Sequence, residues 1–124
     1  MTAAKRNLYI EQGATFALSF VWREGTAAEP GDPVDLTGCM ARMQVRKNLT
    51  GPALVDAYSE GTEPRITLGG VDGSVRIVLT DEDTSAVDTR SGIYDLEVVM
   101  ADGTVCRLLQ GNVTVSPEVT RDDG

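Results

Sequence analysis

The stretch GIYDLEVVMADGTVCRLLQGNVTV, residues 92–115, decides the fold. It reads as two strands joined by a tight turn. Tyr94, Leu96 and Val98 fall two apart, which places them on one face of an extended chain. Ala101-Asp102-Gly103 supplies the Asp-Gly turn of a hairpin. The returning strand, Thr104 to Val115, sets Leu109, Val113 and Val115 toward a core and turns Asn112 and Thr114 outward. Around Cys106 the parity is ambiguous, because Val105 and Leu108 compete for the inward face. Pro117 stops the strand, and residues 117–124 are expected to form a flexible, charged tail.

Working upstream, Thr80 to Val87 (TDEDTSAV) is the one candidate helical turn, with Thr80 as the cap and Asp83 at the reciprocal position of a capping box. A helical turn leading into a strand that begins with an inward tyrosine is a corner used by immunoglobulin-like sandwiches, and Tyr94 is the candidate to cap a backbone group there. Val75, Ile77 and Leu79 alternate with polar or smaller neighbours. The run Gly69 to Gly73 turns this strand back on Ile66 and Leu68. Ala41, Met43 and Val45 form an apolar face opposite Met40, Arg42, Gln44 and Arg46, and by strand parity Cys39 joins the inward set. Leu54 to Tyr58 is a short edge strand. Phe16, Leu18, Phe20 and Trp22, at strict period two, make the main core strand. Leu8 and Ile10 open the chain before a Gln12-Gly13 break. Arg23 to Leu36, with Gly25, Pro30, Gly31 and Pro33, reads as a long exposed loop.

The pattern predicts an all-β domain: an immunoglobulin-like antiparallel β-sandwich of seven to eight strands with one short helical turn. The 124 residues suit a single domain with its core over 7–116. An apolar fraction of 41% and a charged fraction of 24% argue against global disorder. The net charge of −8, with eleven basic residues dispersed along the chain, opposes a nucleic-acid partner. The N-terminus has no apolar run of the signal-peptide kind, and no run approaches the ~20 residues needed to span a bilayer. Synthesis and folding in a cytoplasm are therefore expected, and the sequons at Asn48 and Asn112 have no consequence there.

With no histidine in the chain, the commonest general base is missing and the usual serine or cysteine triads cannot be built. The paired carboxylates Asp81 with Asp83 and Asp122 with Asp123 fall in a helical turn and a tail, where solvated charge is expected. No enzyme activity and no cofactor are expected. Asp81, Glu82 and Asp83 could offer oxygen ligands to calcium, but the spacing is not that of an EF-hand loop and a capping turn accounts for them. Cys39 and Cys106 are too few for a zinc site without histidine; they are either reduced, as small hydrophobes, or paired within or between chains.

Several blocks resemble, in order, small tail-associated bacteriophage proteins and the N-terminal domain of siphophage upper baseplate proteins. They are NLYIEQGATFAL (7–18), PVDLTG (33–38), ARMQVR (41–46), the capped turn from Leu79 to Thr84, GIYDLEV (92–98) and the segment from Leu108 to Arg121. The resemblance implies a non-enzymatic virion structural protein, assembled in a host bacterial cytoplasm, that serves as a connector or decoration in a tail, neck, collar or baseplate. Its implied partners are other virion proteins and further copies of itself in a symmetric array, with neither nucleic acid nor membrane. Such relatives often carry a fibre or receptor-binding extension after this domain; none follows in these residues, so a self-contained part is expected.

The expected contact residues are Leu8, Tyr9, Ile10 and Gln12 at one end, and Asn112, Thr114, Glu118, Thr120 and Arg121 at the other. The loop from Gly25 to Pro33 is a third contact element. The competing expectation is a carbohydrate-binding or host-adhesion module on the same fold, for which Asn48, Asp56 and Tyr58 are the crowded candidates.

Overall fold

Alternation of apolar and polar residues builds two facing sheets in the computed structural model, which describes residues 3–26 and 28–120. The larger sheet is made of β1 (Ala4–Lys5), β2 (Leu8–Glu11), β6 (Met40–Arg46), β7 (Ala53–Tyr58), β10 (Ser91–Val99) and β11 (Val105–Ser116). Its order is β1-β11-β10-β6-β7, with β2 also paired to β11. The smaller sheet is β3-β9-β8, from β3 (Phe16–Val21), β8 (Ile66–Leu68) and β9 (Ser74–Leu79). Between the sheets lies one apolar core, to which β6 gives Ala41, Met43 and Val45, β9 gives Val75, Ile77 and Leu79, and β10 gives Tyr94, Leu96 and Val98. The fold is an all-β immunoglobulin-like sandwich of eight principal strands. To these are added the two-residue β1 and a two-stranded ribbon of β4 (Arg23–Gly25) and β5 (Pro30–Pro33).

That ribbon corrects the expectation of an open loop over residues 23–36. Arg23 pairs with Pro33 and Gly25 with Pro30, and both prolines are tolerated because the ribbon is all edge. Cys39 packs inward as expected but lies outside the strand it was expected to open. It precedes β6, half-buried against the core, and its amide donates to Leu36 O at 3.0 Å. Both Cys39 and Cys106 are unbridged thiols.

The ambiguity at Cys106 resolves into a β-bulge. The β10–β11 register shifts between Leu96 and Glu97, so Leu96 faces Leu109 while Glu97 faces Arg107. One extra residue in β11 turns both Leu108 and Leu109 inward. Before the bulge the even residues face the core, and after it the odd ones do.

The N-terminal segment breaks the antiparallel rule. β2 pairs parallel to β11, with Leu8 opposite Val113 and Ile10 opposite Val115, and β1 likewise runs parallel with Ala4 opposite Leu109. Leu8 and Ile10 are buried, and a side chain of that size contributes roughly 1.5–3 kcal/mol when fully buried. Between β1 and β2 the backbone of Arg6 crosses β11 so closely that a Cβ on Gly111 would overlap the Arg6 carbonyl. Tyr94 donates its phenol to that same carbonyl at 2.6 Å. The tyrosine does cap a backbone group, as expected, but the group lies 88 residues away rather than in the local corner.

α1 (Asp81–Ser85) carries the expected capping box. Thr80 Oγ1 accepts from the Asp83 amide at 3.2 Å, and an Asp83 carboxyl oxygen accepts from the Thr80 amide at 2.9 Å. Asp83 also pairs with the Arg65 guanidinium at 2.5 Å. Burial pushes the Asp83 carboxyl up, but the Arg65 and Thr80 donors outweigh it and leave the group below its ordinary value. A carboxyl lowered on folding stabilises the native state above its unfolded pKa, and that contribution is lost as pH falls through the lower folded value. Asp83→Asn is therefore expected to reduce the melting temperature at pH 7 and to shrink the drop between pH 7 and pH 3. Thermal melts at the two pH values measure both; an undiminished acid drop would count against this assignment.

Candidate functional site: the outer face of the large sheet

On β6, β7, β10 and β11 the residues that alternate with the core set turn outward and meet across the strands. Register places Arg107, Glu97, Arg42 and Tyr58 in one cross-strand row and Gln110, Asp95, Gln44 and Asp56 in the next. The rows are knitted by polar contacts. Arg42 Nε lies 2.8 Å from Glu97 Oε1, and Arg107 Nε lies 3.4 Å from Asp95 Oδ2. Gln44 donates to Asp56 at 3.0 Å and accepts from Arg46 at 2.6 Å. The second Arg46 donor reaches the Gly51 carbonyl at 2.5 Å, tying the β6–β7 turn to the sheet. Contacts of this kind across a sheet hold long side chains in fixed directions.

One part of this face is an open depression of about 920 Å³, bounded by Lys5 of β1, Arg46, Lys47, the turn at Asn48 to Thr50, and Arg107, Gln110, Gly111 and Asn112 of β11. It gathers four cations, Lys5, Arg46, Lys47 and Arg107, against the single carboxylate Asp95. Burial holds the Asp95 carboxyl above its ordinary value, the neighbouring Glu97 adds to this, and the guanidinium groups of Arg107, Arg42 and Arg46 work against it. Lys5 and Lys47 form no ion pair among the described residues. In a chain of net charge −8 this is a local reversal of sign. Leu49, 85% exposed at the tip of the turn, stands at the rim.

The expected contact residues divide. Tyr9, Asn112 and Thr114 come together on the outer face, with Tyr9 opposite Thr114 in register and 57% exposed. Leu8 and Ile10 do not: they belong to the core, and their side chains cannot meet a neighbour. Gln12 is turned inward on the fold as well. Its amide nitrogen donates to Ser85 O at 3.2 Å and Val87 O at 3.4 Å, and its oxygen accepts from the Glu118 amide at 3.1 Å. That last bond ties the start of the expected tail to the turn after β2, with the Glu118 carboxyl over Gly13; residues 121–124 lie outside the described residues. Thr120 is exposed, and Arg121 lies outside the described residues.

The carbohydrate candidates are not assembled. Asp56 and Tyr58 share the outer face of β7, whereas Asn48 sits in the turn beyond β6, its side-chain oxygen accepting from the Thr50 hydroxyl at 3.2 Å. The four cations of the depression escaped the sequence reading because they come from three separate strands and a turn. Only the outward parity of Arg42, Gln44 and Arg46 pointed toward this face.

No protein-family model matches this chain, and no curated protein matches it. Among solved structures, the chain is similar to one from work on multimeric cell-adhesive interactions of VGSC beta subunits, with 15% sequence identity, a TM-score of 0.46, and coverage of 90% of this chain and 92% of that one.

Proposed function

We propose that this chain is a non-enzymatic structural protein of a bacteriophage particle, working as an assembly module that docks an acidic surface of a neighbouring virion protein. The observation that carries the docking reading is the cationic depression on the outer sheet face, where Lys5 and Lys47 present free ammonium groups beside the fixed guanidinium groups of Arg46 and Arg107. Opposite charge on a partner steers encounter and sets register more than it adds affinity. The virion assignment is supported by the ordered sequence blocks from Asn7 to Arg121 that resemble tail-associated and baseplate proteins.

The test is a charge reversal, Lys5→Glu with Lys47→Glu. Both side chains are exposed, so the melting temperature is expected to stay within about 2 °C of the parent. Incorporation into purified particles, counted by quantitative mass spectrometry, is expected to fall at least about tenfold, as loss of ~1.4 kcal/mol implies. Crosslinks from Lys5 or Lys47 are expected to reach carboxylate-rich peptides of another virion protein. Absence of the protein from purified particles would sink the virion reading. Unchanged incorporation of the variant, or tight binding of duplex DNA by the parent at physiological salt, would sink the docking reading.

A further inference from the structure

We propose that two copies of this chain pair through the free edge of β3, in antiparallel register about a two-fold axis at Ser19. The proposal goes beyond the docking face, which lies on the other sheet, and does not depend on it.

β3 pairs with β9 on one side, and no strand among the described residues pairs with its other side. The Trp22 amide donates toward β9, to Gly73 O at 2.8 Å. By the alternation of a strand, the amides of Phe16, Leu18 and Phe20 share that direction, and those of Ala17, Ser19 and Val21 point away to the open edge. A sheet edge is a template for another strand, and proteins usually blunt it with charge, proline, bulges or brevity.

The other edges show such devices. β7 follows Pro52, carries Asp56 and is paired through a register shift between Val45 and Arg46. β8 is three residues long and is preceded by Pro64 and Arg65. The β1–β2 edge is broken at Arg6 and Asn7 and carries Lys5 and Glu11. β3, by contrast, reads FALSFV over six residues, without charge, proline or bulge.

A second observation points the same way. Phe16 and Phe20 on the inward side of β3, and Trp22 just after it, pack against the core yet are only partly buried. A strand laid along β3 would cover them. Because Ala17, Ser19 and Val21 are small and uncharged, a second copy of a chain that otherwise repels itself can approach here. Centring on Ser19 sets it opposite its own symmetry mate and Ala17 opposite Val21, so that all three outward residues exchange backbone bonds with the mate. The interface is then the same patch on both copies. Leu18 falls opposite Phe20 of the mate, and Phe16 opposite Trp22, so that the large side chains of the two strands adjoin.

Sedimentation velocity from about 1 µM to 1 mM is expected to show a monomer–dimer equilibrium. Ser19→Pro removes an outward amide that β9 does not use, so it should leave a folded monomer. Ser19→Lys is expected to do the same, and a cooperative thermal melt verifies folding for each. With Cys39→Ser and Cys106→Ser as background, Ser19→Cys is expected to crosslink quantitatively on mild oxidation. Residues directly opposite in a hydrogen-bonded pair sit about 5.5 Å apart at Cα, within disulfide reach. Thr67→Cys, exposed on β8, is expected not to crosslink. A monomer at every concentration, or a dimer untouched by Ser19→Pro and Ser19→Lys with no Ser19→Cys crosslink, overturns the proposal.

Discussion

Gly73→Ala is expected to lower the melting temperature by about 15 °C, from a loss of about 4 kcal/mol. Gly73 ends the turn between β8 and β9 with φ at 69° and is buried. An L-residue in that left-handed conformation costs about 1–2 kcal/mol by itself. The greater part comes from overlap. A Cβ there would lie 2.6 Å from Trp22 O and 3.0 Å from Val34 O, both backbone atoms. Neither can move cheaply, since the Trp22 amide donates to Gly73 O and Trp22 O accepts from the Val34 amide, each at 2.8 Å. These bonds root the β4–β5 ribbon at the end of β3. Gly103→Ala supplies the control: φ is 91° but nothing lies within 4 Å of a Cβ, so it carries strain without overlap and should cost only about 1–2 kcal/mol. Equal shifts for the two variants would show that overlap at Gly73 is relieved.

The second large effect is expected at Thr84, the one buried polar side chain among the described residues, at 0% exposure. Its hydroxyl accepts from the Gly13 amide at 3.0 Å and donates toward Ala14 O at 2.9 Å and Asp81 O at 3.2 Å. One oxygen thus joins α1 to the turn that carries the chain from β2 to β3. Thr84→Val keeps the shape and removes the bonding, leaving a half-buried amide and carbonyl of that turn without partners. The expected loss is about 2–4 kcal/mol, with a fall in melting temperature of about 10 °C. Thr84→Ser keeps the hydroxyl and should recover most of it. Urea melts of the three proteins measure this, and a Val variant as stable as the parent would show that the turn finds other donors.

Much of the sandwich was legible because its causes are local. Period-two alternation in Val75 to Leu79 and in Tyr94 to Val98 fixes which face is buried, whatever the strands pack against. The Thr80–Asp83 box and the Asp102-Gly103 turn close bonds within four residues, so their residue types announce them. Where two tendencies competed within one strand, as at Cys106 to Leu109, only the pairing with β10 could place the bulge. The ribbon at residues 23–33 resembles a loop in sequence because glycine and proline are common to both, and its pairing has no periodic signal.

The candidate surfaces were less legible than the fold. Lys5, Arg46, Lys47 and Arg107 look dispersed because they span 102 positions of the chain, and cross-strand register alone brings them to one depression. Leu8 and Ile10 stand near the terminus, where a contact surface is expected, but parallel pairing with β11 draws them into the core. The inward parity of β3 is legible, but of the four large residues expected to make the main core strand only Leu18 is buried, and nothing local says that the far edge is vacant.

By itself, then, the sequence determined the class of fold, the inward faces of β3, β6, β9 and β10, and the capped turn. Each of these rests on spacing or on bonds between near neighbours. The tertiary structure decided which strands lie side by side, that the N-terminal segment runs parallel to β11, where four distant cations converge, and which sheet edge stays open. Those depend on contacts between residues as much as 105 positions apart, as Leu8 is from Val113, whose free energy comes from burial and register across strands and leaves no periodic trace in the chain.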